Sequence, residues 1–137
     1  MTPADRNPRA LLLAKDHETL YPLVTGLERR GFEVLAATDG ARGVELLLDN
    51  LLSLDVVVAD LDLPGRGAAA LLDLVRVAGG EHELAVVVRA EGLSARDRDA
   101  LRALGADAVV SAADDADHVA ALAEEAAGAG APFALAA

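Results

Sequence analysis

The chain has 137 residues, 53% of them apolar and only 2% aromatic, and carries a formal net charge of −11. That length suits one domain with one core built from Leu, Val and Ala, and the acidic balance argues against direct contact with nucleic acid or an anionic membrane. The absence of cysteine excludes disulfides, thiolate zinc sites and cysteine nucleophiles.

The opening "MTPADRNPR" has no apolar signal core, and no apolar run approaches about 18 residues. A soluble cytoplasmic domain is therefore expected. Residues 1–8 read as an N-terminal extension, 9–127 as the domain and 128–137 as a flexible tail or linker stub. "RALLLA" (9–14) predicts a strand, and "TLYPLVTGLERR" (19–30) a helix whose inner face is Leu20, Leu23, Val24 and Leu27. Pro22 falls in the first turn of that helix, where its missing N–H costs little. Gly31 ends it, and "FEVLAA" (32–37) resumes as a strand. "ARGVELLLDNLL" (41–52) is the second helix, with Val44, Leu47, Leu48 and Leu51 turned inward.

"LDVVVAD" (54–60) is the most apolar strand, hence central, and "GAAALLDLVRVAGG" (67–80) is a helix ended by paired glycines. "LAVVVRA" (84–90) is a fourth strand. Ser94 caps a helix over 95–104 that Gly105 closes. "DAVVSA" (107–112) is a short fifth strand, and "DDADHVAALAEEAAG" (114–128) a last helix with acids in its first turn. Strict alternation of apolar strands with helices implies a parallel sheet covered on both faces. Ligands of such sheets bind beyond the carboxyl ends of the strands. Asp16, Asp60, Arg89 and residues 111–113 stand there.

Several chemistries lack their motifs. No GxGxxG follows the first strand, and neither GxxxxGK[ST] nor GxSxG occurs. His17, His82 and His118 show no ligand spacing and read as surface side chains. What remains is Asp60 with Asp16. Two carboxylates at a switch point suit a Mg²⁺ that keeps several waters, and a carboxylate is itself a nucleophile for a phosphoryl group. Equally, both acids serve as loop caps.

The βα alternation, with "ATDGARGVELL", "DLDLPG" and "LGADAVV" at their places, resembles a response-regulator receiver domain over residues 9–127. The most specific element is Asp60-x-x-x-Pro64-Gly65 ending an apolar strand. The resemblance implies a flavodoxin-like (CheY-like) three-layer α/β sandwich with strand order 2-1-3-4-5. It implies that Asp60 is equivalent to the aspartate that takes a phosphoryl group from a kinase histidine with Mg²⁺. Asp16 then matches one acid of the family's metal-binding pair, and Lys15 stands where the other belongs. Arg89 replaces the Thr or Ser that ends strand four, Ala112 and Ala113 replace a Lys-Pro pair, and Val109 replaces the switch aromatic.

These departures imply an atypical receiver, a protein-interaction module with an impaired phosphorylation site and no cofactor, rather than an enzyme. Asp16 and Asp60 are expected to hold Mg²⁺ weakly or not at all. One unit pair is worth roughly 4 kcal/mol at about 4 Å in an effective dielectric near 20, before desolvation. Lys15 therefore opposes a cation, and Arg89 is expected to pair with Asp60. The other reading of both long side chains is that they reach out to solvent. Two alternatives stand beside this one: an active receiver phosphorylated on Asp60 with Mg²⁺, and a small flavodoxin-like ligand binder. Expected partners are a histidine kinase or an output protein. A homodimer through the fourth and fifth helices is also open, pairing Arg96, Arg98 and Arg102 with Asp114, Asp115, Asp117, Glu124 and Glu125. No DNA-binding helix pair follows residue 128, so output is expected through a partner or a further domain.

Overall fold

A computed structural model of the chain describes residues 7–63, 68–78 and 84–129. Five strands alternate with five helices: β1 (Arg9–Leu13), α1 (His17–Arg29), β2 (Glu33–Ala37), α2 (Gly40–Asp49), β3 (Val56–Asp60), α3 (Ala68–Ala78), β4 (Ala85–Ala90), α4 (Ala95–Ala103), β5 (Ala108–Ser111) and α5 (Ala116–Ala129). All strand pairs are parallel, in the expected order β2-β1-β3-β4-β5. No described helix is long and apolar enough to cross a membrane.

The two faces of the sheet follow from the period of two along each strand. Ala10, Leu12, Val56, Val58, Ala85, Val87 and Val110 pack against Leu23 and Leu27 of α1 and Val119, Ala120 and Ala123 of α5. The intervening Leu11, Leu13, Val57 and Ala59 meet Leu47 of α2 and Leu71 of α3. Val86, Val88 and Val109 meet Leu72 of α3 and Leu101 of α4. Aspartates ahead of two strands hold the neighbouring strands in register. Asp55 Oδ2 accepts the Arg9 N–H at 2.8 Å, and Asp107 Oδ2 accepts the Val86 N–H at 2.7 Å.

Three local expectations are corrected. α1 begins at His17, so Pro22 lies in its second turn rather than its first. The reason is Asp16, whose carboxylate caps the helix by accepting the Thr19 N–H at 2.7 Å and starts it early. In α2, Leu48 is half exposed, and Leu46 packs inward in its stead. A Cβ on Gly43 would lie 2.9 Å from Leu13 Cδ1. This close approach turns the face of α2 that carries Gly40 and Gly43 toward the sheet and swings Leu48 outward. Finally, α5 begins at Ala116, so Asp114 and Asp115 precede it. Their side chains accept the N–H groups of Ser111 and His118, leaving Asp117 as the acid of the first turn.

Other signals hold. Ser94 forms a capping box with Asp97, and Gly31 and Gly105 leave α1 and α4 at φ of 88° and 118°. The paired glycines expected to end α3 lie outside the described residues, as do Pro64, Gly65 and His82. α1 and α5 lie close together. A Cβ on Gly26 would stand 3.1 Å from the Ala116 carbonyl oxygen, and Arg30 pairs with Asp117 at 3.3 Å and Glu124 at 3.1 Å.

Candidate functional site

Register and parity together build the site. Asp60 and Arg89 are Cα partners at the carboxyl ends of β3 and β4. Each lies two residues beyond a valine that faces α1 and α5, Val58 and Val87, so both point to that same face. Side chains in this relation are neighbours across the ladder. Asp60 retains 5% exposure and Arg89 6%, and they are the buried charged residues of the described core.

Burial at that level demands partners. Arg89 Nη1 donates to Asp60 Oδ1 in a buried ion pair. The other carboxylate oxygen, Oδ2, accepts the Lys15 backbone N–H at 3.0 Å. Arg89 Nη2 reaches the Ala112 carbonyl at 3.3 Å, so one guanidinium links β3 to the segment after β5. Beside the pair opens a hollow of about 90 Å³ lined by Lys15, Thr19, Asp60, Asp62, Arg89, Ala90, Glu91 and Ala112.

Four of the residues singled out in sequence thus meet: Lys15, Asp60, Arg89 and Ala112. The others do not. Asp16 is exposed and turned to its own helix, and its carboxyl is held below the usual range of 3.8, first by the Thr19 backbone N–H and then by the Thr19 side chain. Ala113 is exposed, with its N–H on the Ser111 hydroxyl at 3.1 Å. Val109 is buried on the opposite face, against Leu101 of α4. His17 and His118 are exposed, the latter 3.8 Å from Asp114.

Thr19, Asp62 and Glu91 are lining residues that sequence reasoning passed over. Asp62 was visible two positions after Asp60. The contribution of Lys15 to Asp60 had no such signal, because it comes from the main chain, which every residue type except proline provides.

A Mg²⁺ site does not fit these residues. Both oxygens of Asp60 are engaged, one by a guanidinium, and Asp16 caps α1 instead of facing Asp60. Among the described residues no group of three or more His, Asp or Glu side chains is placed to hold a metal.

Comparison with known proteins places this geometry in a fold. No family model matches the chain. A relative from Arabidopsis thaliana, "Two-component response regulator-like APRR9", is 33% identical over 75 residues, which is 55% of this chain and 15% of that protein. The chain thus spans a small part of that relative's length. Solved structures align far more completely. A response regulator receiver domain protein from Clostridium thermocellum matches with a TM-score of 0.79 at 20% identity, covering 89% of this chain and 95% of that one. The chemotaxis response regulator CheY4 of Vibrio cholerae gives 0.79 at 15% identity, covering 88% and 99%. The fold is that of the CheY-like response-regulator receiver domains.

Proposed function

With a CheY-like receiver fold as premise, we propose that the chain is an atypical receiver, a signalling module that acts by protein contact and whose phosphorylation site is impaired. One observation carries this reading: the Arg89 guanidinium sits on Asp60, the phosphoacceptor-equivalent residue. A carboxylate so held is a poorer nucleophile, because the charge-assisted bond stabilises its negative charge and the guanidinium obstructs approach to Oδ1. The same bond puts a fixed positive charge on the carboxylate that a divalent cation would need as a ligand. Nothing in this reading requires a cofactor or makes the domain an enzyme.

The test is direct. Incubated with Mg²⁺ and a small-molecule phosphodonor, the protein should show no phosphoryl adduct by intact mass. An adduct on the wild type that is absent from Asp60→Asn would sink the proposal and establish the active receiver. Partners under this reading are signalling proteins, a histidine kinase or an output protein, met in the cytoplasm. The finer idea of a homodimer through α4 and α5 has exposed Arg96 and Arg102 in its favour. Of the acids on α5, Asp117 and Glu124 are engaged by Arg30 of the same chain, leaving Glu125 as the exposed candidate for a cross-subunit pair. Sedimentation of the wild type against Arg102→Glu tests it: a dimer that persists unchanged in the variant excludes a role for that charge.

A further inference from the structure

We propose, resting on the reading of Asp60 as a carboxylate locked by Arg89, that the hollow beside the pair binds a small oxyanion on the free edge of the Arg89 guanidinium. A guanidinium meets carboxylates and phosphates best through a pair of parallel N–H groups. One such pair is its side-on edge, Nε with Nη2. Asp60 uses Nη1 alone. Among the described residues Nη2 has only the Ala112 carbonyl, at a long 3.3 Å, and the buried Nε has no hydrogen-bond partner. A buried donor left in that state carries a desolvation cost that a ligand oxygen would remove. Among the described residues Arg9 Nε and Arg30 Nε also lack a hydrogen bond, but Arg9 Nε has the Glu33 carboxylate at 3.6 Å, both side chains are 28% exposed, and neither lines the hollow.

A second cation stands on the same lining. Among 12 basic residues the sequence has a single lysine, Lys15, exposed on the wall of the hollow and in no ion pair among the described residues. Thr19 also lines the hollow, while its side chain bonds the Asp16 carboxylate. Asp60, Asp62 and Glu91 oppose an anion; the buried Asp60 carboxylate is already met by Arg89 Nη1 and the Lys15 backbone N–H, and the other two are exposed, so salt screens them over a Debye length of about 8 Å. The Arg89 edge is buried and screened far less. An oxyanion seated there takes the place of the Ala112 carbonyl on Nη2, so occupancy is felt in the segment between β5 and α5.

The chemistry fits a carboxylate or a phosphate, and two titrations tell them apart. ¹⁵N-labelled protein is titrated with inorganic phosphate and, separately, with acetate, at ionic strength held constant with chloride. Arg89 Nε and the amides of Lys15 and Ala112 are followed, with intact mass recorded alongside. At least one anion should give saturable shifts at unchanged mass, and Lys15→Gln should weaken that binding about tenfold, the loss of one charge-assisted contact. Saturation by phosphate alone, acetate alone or both identifies the accepted chemistry. Absence of saturation by either, or saturation unaffected by Lys15→Gln, overturns the proposal. Inorganic phosphate is no phosphodonor, so this failure is separate from that of the locked-site reading, which shows as an adduct with a phosphodonor.

Discussion

Arg89 and Asp60 are worth more to each other than either is to the fold. Removing one member of a buried pair strands the other without compensation, at a cost of about 3–5 kcal/mol. Arg89→Ala should lose about that much in urea denaturation near neutral pH. Replacing both with apolar side chains of similar volume, Asp60→Leu with Arg89→Met, should recover most of the loss, and a double-mutant cycle reports the coupling. This pair was legible in sequence, since "VVVAD" and "VVVRA" set two opposite charges at matching strand ends. Asp16 takes the capping role that was one of its two readings, and for a physical reason. A short acid one position ahead of a helix has a local hydrogen bond available that competes with any distant partner. Its lowered pKa fixes a pH window. The folded value is depressed, so the cap's contribution is complete above the unfolded value of 3.8 and is lost as pH falls through the folded one. Thermal melts should therefore show Asp16→Ala less stable than wild type at pH 6, with the gap narrowing as pH falls below 3.8.

Among the elements, the strands were easy and the helix faces were not. Continuous apolar runs bounded by charged or turn residues leave little choice of strand. A helix face depends on how closely the helix can approach the sheet, which a wheel of hydrophobic positions does not contain. Gly43 decides this for α2. Gly43→Ala should gain helix propensity of about 1 kcal/mol yet force buried Leu13 to move, and overpacking of that kind costs about 1–3 kcal/mol. A net loss is expected in thermal unfolding. Leu48→Gln should change stability by less than about 0.5 kcal/mol, whereas truncating Leu46 should cost more. Pro22 misled in a similar way. It marks the first turn of many helices, but the Asp16 cap began this one early enough to leave the proline inside.

At the scale of the molecule, the order of the sheet and its layers were readable because alternation, length and charge all agreed, and consistency across levels is what specifies a fold. The pocket was readable only in part, since its contacts include main-chain groups of Lys15 and Ala112 that no side-chain pattern announces. If the locked pair is what disables the site, undoing it should restore function. Lys15→Asp, Arg89→Thr and Ala112→Lys together should give Mg²⁺-dependent mass gain with a phosphodonor, abolished by Asp60→Asn. The pair has one more consequence, which concerns assembly rather than chemistry. β3 and β4 are runs of valine that look the same to each other after a slip of two residues, because such a slip keeps every apolar side chain on its own face. In the slipped sheet Asp60 and Arg89 would no longer be opposite, and each would be a lone charge in an apolar layer. The two charges therefore act as a proofreader of strand alignment, and in the apolar double variant a mixture of registers should surface as doubled amide resonances along β3 and β4.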